Sequence, residues 1–355
     1  MRCEKFKDDN GDWHYTNAQD VTKKLLCNPE TNQPYKQNEV ILNECKYKGK
    51  VFSQYRYDRP LSMYDKEYWG VAGKVVAKEL SRDVKGYKIP TPACISFSGG
   101  RTSAFMLKQI INAYDGKLPN DVIVCFANTG KELPETLDFV HEVEKMWDID
   151  IHWLELEIND EKPIWSQTRV NYETASREGE PFDELIIKQQ MLPNLHRRVC
   201  TIELKIKPIE RYMKSLGYKE WYSCLGLRYD EPRRVADSKA RAERYINICP
   251  MYDAKHTNED VLSFWRKNNF DLNIPTVNGK AAAGNCDLCF LKGTATTLNL
   301  MHEKPELADW WIEKETIIER SFRHNRPNYI QLLDLSKEKP KDYIDDETFT
   351  CFCHD

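Results

Sequence analysis

The stretch from Ala93 to Ile110, ACISFSGGRTSAFMLKQI, constrains this chain most. Its apolar, β-rich start up to Phe97 predicts a strand, and the apolar spacing from Ala104 onward predicts a helix. Two glycines join them, and such a turn lets successive backbone N–H groups approach an anion at the positive end of the helix. We therefore expect an anion site built from Ser98, Gly99, Gly100, Arg101, Thr102 and Ser103.

This turn lacks the Gly-Lys-Ser/Thr ending of a Walker P-loop, which disfavours a kinase or GTPase. The pattern Ser-Gly-Gly-x-x-Ser after a strand instead resembles the PP-loop of the ATP pyrophosphatases. The resemblance implies that the loop holds the pyrophosphate of ATP while the bond between the α and β phosphates breaks. An ordinary glycine turn is the alternative.

Strands and helices alternate after Pro90. Buried strands are predicted at 93–97, 122–127 and 151–156, with helices between them. This series predicts a parallel sheet with right-handed crossovers. Ligands bind outside the carboxyl ends of such strands, which is where Ser98 and Asn128 fall.

The segment Asn128-Thr129-Gly130-Lys131-Glu132-Leu133-Pro134-Glu135-Thr136 carries a more specific resemblance. It is similar to the Asp-Thr-Gly…Pro-Glu-Thr segment of the phosphoadenosine phosphosulfate (PAPS) reductase family. Asn128 replaces the family's usual Asp, so Glu132 or Glu135 is left to supply the charge; helix capping is the other explanation for these two. The resemblance implies nucleotide contacts by Asn128, Thr129, Gly130 and Glu135.

A later strand, 221–225, leads into Gly226-Leu227-Arg228-Tyr229-Asp230-Glu231-Pro232-Arg233-Arg234. This segment is similar to the family's Gly-(Ile/Leu)-Arg-x-x-Glu-Ser-x-x-Arg, with Pro232 where a Ser is common. Guanidinium forks at a strand end suit phosphate or sulfate oxygens. We expect Gly226 to contact the nucleotide and Arg228 and Arg234 to act in catalysis, against the alternative of a surface-charge cluster.

Cysteines suggest a metal centre. Cys286 and Cys289 have the Cys-x-x-Cys spacing that grips one metal or cluster. With Cys200, they are similar to the layout of iron–sulfur adenosine phosphosulfate (APS) reductases, although Val199 replaces one cysteine of that family's pair. The resemblance implies a [4Fe–4S] cluster with one open iron, or with Cys224 or Cys249 as fourth ligand; structural zinc and a bare dithiol are the alternatives.

The terminus ends in Thr350-Cys351-Phe352-Cys353-His354-Asp355. PAPS reductases carry a C-terminal Cys in a Glu-Cys-Gly-x-His motif, which the Cys353-His354 pair loosely resembles. A thiol beside a His can have a lowered pKa, so Cys351 or Cys353 is a candidate nucleophile or sulfur shuttle. A tail thiol of no consequence, or a further metal ligand, is the alternative.

Composition argues against some classes of protein. No run approaches 18 apolar residues, and the first ten residues have no apolar core, so we predict neither a membrane span nor a signal peptide, and a cytoplasmic protein. The chain has 12 cysteines, of which Cys94 and Cys125 lie in apolar strand patterns and are expected as core thiols. The net charge is −4, yet His196–Arg244 carries 13 Lys and Arg against 7 Asp and Glu, either a solvated face or a surface for a phosphate-rich partner.

The resemblance covers about Pro90 to Gly293 and implies an α/β fold of the adenine nucleotide α-hydrolase kind, a parallel sheet sandwiched by helices. We predict an aromatic accessory region at 1–88, a nucleotide domain at 89–245 and a C-terminal region at 246–355. The intact Ser-Gly-Gly loop favours ATP and Mg²⁺ as cofactors and adenylation as the reaction, with sulfur then reaching an acceptor.

A nucleic acid is one acceptor that this chemistry allows. Expected partners are an adenine nucleotide, a sulfur donor protein or thiol reductant, and further copies of the chain in a homo-oligomer. The alternatives are an APS or PAPS reductase with a C-terminal thiol, and a non-catalytic nucleotide or nucleic-acid binding module.

Overall fold

A computed structural model describes residues 86–240, 243–274 and 286–339, together with the backbone of six short strands elsewhere. Contacts divide the chain into two compact units. One comprises Met1–Ser81 with Ala240–Ile246, and the other comprises Arg82–Lys239 with Asn247–Asp355. The second unit therefore contains most of the predicted nucleotide domain and all but the first residue of the predicted C-terminal region.

In the first unit, short strands form two antiparallel pairs. Strand β1 (Glu4–Lys7) pairs with β2 (Trp13–Thr16), and β3 (Leu42–Tyr47) pairs with β4 (Lys50–Tyr55).

The second unit is organised around a sheet whose buried strands come from largely apolar segments. They are β5 (Ala93–Ser96), β6 (Val122–Ala127), β7 (Ile151–Ile158), β8 (Trp165–Val170), β9 (Trp221–Cys224) and β10 (Tyr245–Ile248). The six strands lie in the order β10-β9-β5-β6-β7-β8. Strand β5 runs parallel to β6 and to β9, β6 runs parallel to β7, and β8 is antiparallel to β7.

Helices follow most of these strands. The first half of the unit has α1 (Arg101–Ala113), α2 (Pro134–Trp147), α3 (Glu180–Gln189), a π-helix (Thr201–Ile206), α4 (Lys207–Ser215) and α5 (Pro232–Lys239). Then come α6 (Pro250–Asp253), α7 (Asn258–Trp265), β11 (Thr276–Val277), β12 (Lys280–Ala281), α8 (Thr294–Glu303), a 3₁₀ turn (Pro305–Leu307), α9 (Ala308–Ile318) and α10 (Tyr329–Glu338).

Large aromatic side chains fill the sheet core. Phe126 packs between the rings of Phe97 and Trp153, with centroids 6.4 and 5.0 Å away. Cys94 and Cys125 are buried there, which confirms the prediction of core thiols. A second aromatic cluster joins the C-terminal helices: Phe290, Trp311, Phe322 and Tyr329.

The predicted fold class is confirmed: a mostly parallel α/β sheet packed with helices. The edge strand β8 is an addition, because the sequence analysis predicts no strand between 156 and 221. The residues of β8, WSQTRV, are half-exposed and carry little of the apolar signal that marks the buried strands. Among the described residues, no helix is both long enough and apolar enough to cross a bilayer.

Candidate functional site

The centre of the sheet contains a change of chain direction. From β5 the chain proceeds through β6 and β7 to one edge, and it then returns to place β9 on the other side of β5. In open α/β sheets such a switch point opens a crevice outside the carboxyl ends of the two strands. Ser98–Gly100 follow β5 and Gly226–Arg228 follow β9, so both predicted anion-binding segments border this crevice.

The loop after β5 has the geometry of an anion site. Gly99 has φ +77°, in the left-handed region that favours glycine, and Gly100 is the N-cap of α1. No side chain caps α1, and its first turn has no acidic residue, so nothing on the helix itself neutralises its positive end. The hydroxyl of Ser103 accepts from the backbone N–H of Ser98 at 3.2 Å and lies 2.9 Å from Ser98 Oγ, which closes the loop.

Gly99 is also required by packing. A Cβ at this position would lie 2.8 Å from Thr136 Cγ2 and 3.2 Å from Phe126 Cε2. At Gly226 a Cβ would lie 3.1 Å from Ser103 Cα, so the loop after β9 packs directly on the first turn of α1. The structure thus brings Gly226 against the PP-loop segment, as the sequence analysis expects of a shared site.

Two arginines follow β9. Arg228 donates from Nη1 to Thr102 Oγ1 at 3.3 Å, so its guanidinium lies at the first turn of α1. Its Nε is 3.1 Å from Asp230 Oδ1, and its Nη2 is 3.5 Å from Glu231 Oε2. Glu231 also pairs with Arg234, whose Nη2 is buried and has no hydrogen-bond partner in the described part of the chain. Glu231 therefore holds both arginines beside the crevice.

Arg101, by contrast, is engaged elsewhere. Its Nε and Nη2 lie 2.6 and 2.8 Å from the carboxylate of Asp271, and Nη2 also donates to the carbonyl of Leu272 at 2.7 Å. Trp265 Nε1 donates to the Arg101 carbonyl at 2.9 Å. The Arg101 side chain thus anchors the segment after α7. A contact between its guanidinium and a nucleotide would require the ion pair with Asp271 to open.

Asn128 is fully buried at the end of β6. Its Nδ2 donates to Glu155 Oε1 at 2.6 Å and to the Ser176 carbonyl at 2.8 Å, and its Oδ1 accepts from Gly130 N at 3.2 Å. Burial raises the pKa of Glu155, although hydrogen bonds from Ser176 and Asn128 favour the ionised form. An amide at position 128 therefore supports a carboxylate from the neighbouring strand β7.

The rest of this loop is tightly hydrogen bonded. Thr129 donates from its N and Oγ1 to the carboxylate of Glu132, at 2.9 and 2.9–3.0 Å. Gly130 has φ +77°, and a Cβ there would lie 3.0 Å from Gly179 Cα. Glu135 pairs with Lys304 Nζ at 2.5 Å; burial alone would raise its pKa, but Lys304 lowers it below the usual range. The side chains of Asn128 and Thr129 are thus committed to protein partners, whereas Glu135 Oε2 is buried without a hydrogen-bond partner in the described part of the chain.

The Cys-x-x-Cys segment docks on the same loop. Cys286 and Glu132 face each other in an isolated antiparallel bridge, and Asp287 N donates to the Lys131 carbonyl at 2.7 Å. Thr129 Oγ1 lies 3.5 Å from Cys286 Sγ. Burial raises the pKa of the Cys286 thiol, while the Lys205 ammonium lowers it and the Glu132 carboxylate raises it.

Asp287 fixes this docking. Its Oδ2 lies 2.9 Å from Lys131 Nζ, and its Oδ1 accepts from Trp311 Nε1 at 2.8 Å and from Leu288 N at 2.6 Å. The ammonium of Lys131 also lies 5.2 Å from the ring centroid of Trp310. The pair thus ties the loop after β6 to helix α9.

The predicted metal ligands do not form a metal-binding group in the described part of the chain. Within it, no three His, Cys, Asp or Glu side chains come together in a group that could hold a metal ion. Cys286 and Cys289 are buried, and Cys200 is half-buried at the start of the π-helix. The three-cysteine site stays a prediction.

Both candidates for a fourth ligand lie in the sheet core. Cys224 has Cys94 and Cys249 as neighbours, and burial raises the pKa of Cys224. Cys249 Sγ is 3.7 Å from Ser238 Oγ, and burial raises the pKa of Cys249 to about 11. These thiols serve core packing. The other predicted nucleophiles, Cys351 and Cys353, lie outside the described residues.

Sequence reasoning missed three of these features. Nothing in the sequence marks Glu155 as a site residue, because it lies within the apolar pattern of β7. The Lys131–Asp287 pair joins residues far apart in sequence, although the position of Asp287 between the two cysteines is a partial hint. The role of Glu231 in holding both arginines depends on side-chain directions that spacing does not give.

A mostly parallel sheet with a glycine loop at its switch point is an architecture in which α/β proteins bind ligands at the carboxyl ends of the strands. Residues 92–274 match the phosphoadenosine phosphosulfate reductase domain family. The chain belongs to this family, which confirms the resemblance drawn from its motifs.

Curated relatives resemble it over part of their length. The nin region protein ORF290 of Escherichia phage lambda is 32% identical over 56% of this chain and 66% of that protein. Two uncharacterized proteins of Methanocaldococcus jannaschii are 29% and 27% identical, over 64% and 46% of this chain. The chain spans only 48% and 30% of the length of these two.

Two solved structures were also found. A phosphoadenylyl-sulfate reductase from Candida auris in a phosphate complex is 15% identical and has a TM-score of 0.33, over 57% of this chain and 82% of that one. The U34-tRNA thiolase NcsA from Methanococcus maripaludis, with its [4Fe–4S] cluster, is 14% identical and has a TM-score of 0.34, over 75% of each chain.

Proposed function

We propose that this protein is an ATP-dependent enzyme of sulfur metabolism that adenylates an acceptor and passes sulfur to the activated position. One observation carries the proposal: the Ser-Gly-Gly loop and Arg228 meet at the first turn of α1, at the switch point of the sheet. An uncapped helix N-terminus, a glycine turn and a guanidinium together suit a chain of phosphates.

In this reaction an oxygen of the acceptor attacks the α-phosphorus of ATP. The bond to the bridging oxygen breaks, and pyrophosphate leaves with Mg²⁺. The backbone N–H groups of the Ser98–Ser103 segment would hold the departing phosphates, and Arg228 would neutralise the charge that develops on them. A sulfur nucleophile from the donor then attacks the acceptor carbon that bears the adenylated oxygen, the C–O bond breaks, and AMP leaves with that oxygen.

Glu231 orients the side chains of Arg228 and Arg234. Its carboxylate accepts from the Arg228 backbone N–H at 3.0 Å and pairs with Arg234. Because Arg234 Nη2 is buried and has no hydrogen-bond partner among the described residues, it has donor capacity that an anion could use. We propose catalytic roles for both arginines on this basis.

The proposal is tested by calorimetric titration of MgATP. A charge-assisted hydrogen bond is worth about 1.5–3 kcal/mol, so Arg228→Ala should weaken binding by roughly 10- to 150-fold. Arg233→Ala is the matched control, because Arg233 is exposed on the same segment and should bind ATP within about twofold of wild type. Wild-type protein that does not bind ATP, or equal binding by both variants, would contradict the proposal.

A metal cofactor is a further part of the proposal. Cys286 and Cys289 would hold a [4Fe–4S] cluster or zinc, with Cys200 as third ligand, and the group would bring sulfur to the site or stabilise the segment. Among the described residues no third ligand converges on this pair, so no step above passes through a cluster or zinc.

Anaerobic purification followed by absorbance, iron, sulfide and zinc measurements tests this cofactor. We expect either broad absorbance near ~400 nm from cluster charge transfer or bound zinc, and its loss in Cys286→Ala. Protein without any metal would refute the cofactor while leaving ATP binding unaffected.

A sulfonucleotide reductase is the second candidate, and the family match favours it. In that reaction a thiolate of Cys351 or Cys353 would attack the sulfur of APS or PAPS, the S–O bond to the nucleotide would break, and the nucleotide phosphate would leave. A second thiol, from a dithiol reductant, would then form a disulfide with that cysteine and release sulfite. Measuring the reaction product distinguishes the two candidate functions. Adenylation releases pyrophosphate from ATP, whereas reduction releases sulfite from APS or PAPS.

A further inference from the structure

An exposed aromatic ring lies next to the anion site. Tyr229 is 46% exposed, and no other aromatic side chain in the described part of the chain is exposed to this degree. It directly follows Arg228, which contacts the first turn of α1. A half-exposed aromatic ring offers a face on which the ring of a ligand can stack.

The ring is held in place by its neighbours. The backbone N–H of Tyr229 donates to the carbonyl of His256 at 2.8 Å. Its ring lies against Tyr252, with centroids 5.4 Å apart and an interplanar angle of 40°. Tyr252 in turn packs on a buried cluster formed by Leu225, Leu227, Val235 and Cys249. The platform is therefore supported by the core, and a ligand would lose little entropy in ordering it.

Two basic side chains border this platform. Lys239 Nζ lies 5.9 Å from the ring centroid of Tyr252 and 3.7 Å from Asp253 Oδ1, and Arg233 is exposed on the same helix, α5. Asp230, the residue after Tyr229, pairs with Arg228 and is 43% exposed. Tyr229 directly follows Arg228 in the chain, so a ligand on its ring would lie next to the residue that contacts the first turn of α1.

We propose that Tyr229 stacks on an unpaired base of a single-stranded nucleic-acid acceptor, with Arg233 and Lys239 on its phosphates. This inference rests on the proposed function, because it names the acceptor of that reaction. Stacking on an aromatic side chain tolerates any base, and it requires a base that is not already stacked within a duplex. The platform accordingly selects a single strand rather than a particular sequence.

Fluorescence anisotropy of labelled dodecamers tests the proposal, with a single-stranded RNA, the same sequence as DNA, and the RNA duplex as probes. Stacking accounts for about a 5- to 150-fold change in affinity per base, so Tyr229→Ala should weaken single-strand binding at least fivefold. Tyr229→Phe keeps the ring and should bind within about twofold of wild type. Ile317→Ala, at an exposed apolar position on α9, is the control for a surface change elsewhere.

MgATP titrations on the same proteins separate this inference from the proposed function. Weaker single-strand binding by Tyr229→Ala with an unchanged Kd for MgATP supports the acceptor platform. Weaker MgATP binding with unchanged oligonucleotide binding would overturn it, because the ring would then hold the base of ATP. Wild-type protein that binds no single strand, or prefers the duplex, would overturn it even if ATP binds.

Discussion

Asn128 illustrates how one atom decides which chemistry a buried position can hold. The side-chain nitrogen donates to a carboxylate and to a backbone carbonyl, and a carboxylate at this position could donate to neither. The resemblance suggests an Asp here, and the structure supplies the reason for the departure: Glu155 already places a carboxylate 2.6 Å away. The carboxylate at this edge of the sheet is therefore supplied by Glu155 of the neighbouring strand, β7.

Asn128→Asp should therefore destabilise the fold, by about 2–4 kcal/mol at pH 8, since it buries two adjacent carboxylates and leaves the Ser176 carbonyl without its donor. The mutual repulsion raises the folded-state pKa of the pair, as burial already does for Glu155. Stability is then retained at low pH and lost as the pH rises through the raised value.

Urea unfolding of this variant at pH 5 and pH 8 measures the effect, with Asn112→Asp as the control. Asn112 is exposed on α1, so its substitution should change stability by no more than about 0.5 kcal/mol. An Asn128→Asp protein as stable as wild type at pH 8 would show that the amide is not needed.

Residue types in the loops could be predicted from the sequence, but their partners could not. The Ser98–Ser103 loop is recognisable because strand, glycines and helix follow one another without interruption. The engagement of Arg101 with Asp271 depends on where the segment after α7 returns, which no local pattern encodes. The same limit applies to Glu231 and its two arginines.

At the scale of elements, a single ion pair fastens the cysteine segment to the loop after β6. The side chains of Lys131 and Asp287 are 9% and 4% exposed, so both charges are removed from water together. Burial raises the pKa of Asp287 even though the Lys131 charge lowers it. Each charge is tolerable only in the presence of the other.

Asp287→Asn should accordingly cost about 3–5 kcal/mol of unfolding free energy, because it leaves the Lys131 ammonium buried without its counter-ion. The double variant Lys131→Met/Asp287→Asn should be less destabilised than Asp287→Asn, since it removes both charges. Asp334→Asn breaks an exposed pair with Lys337 and should cost less than about 1 kcal/mol. Additive effects in the double variant would contradict the pairing.

Element boundaries were predicted well where burial is complete. Strand β6 covers the predicted range 122–127, because an uninterrupted apolar run marks it clearly. Strand β8 was not predicted, because an edge strand faces solvent and does not need an apolar run. The π-helix at 201–206 likewise has no signature that separates it from an α-helix in sequence.

For the whole molecule, the alternation of strands and helices is enough to predict a parallel sheet with a site at its carboxyl edge. The family match over 92–274 agrees with that prediction. What the alternation does not give is the strand order, because β9 could have joined the edge beyond β7. Its place beside β5 is what brings Arg228 to the PP-loop.

The contact between Arg228 and Thr102 joins residues 126 positions apart. During synthesis the chain emerges from its N-terminal end, so strands β5, β6 and β7 can pair before β9 exists. Closing such a long loop is slow, since its entropy is lost before the contacts form. Under the proposed function, the nascent protein would therefore acquire its nucleotide affinity late, and ATP would stabilise only chains in which β9 has already been inserted beside β5.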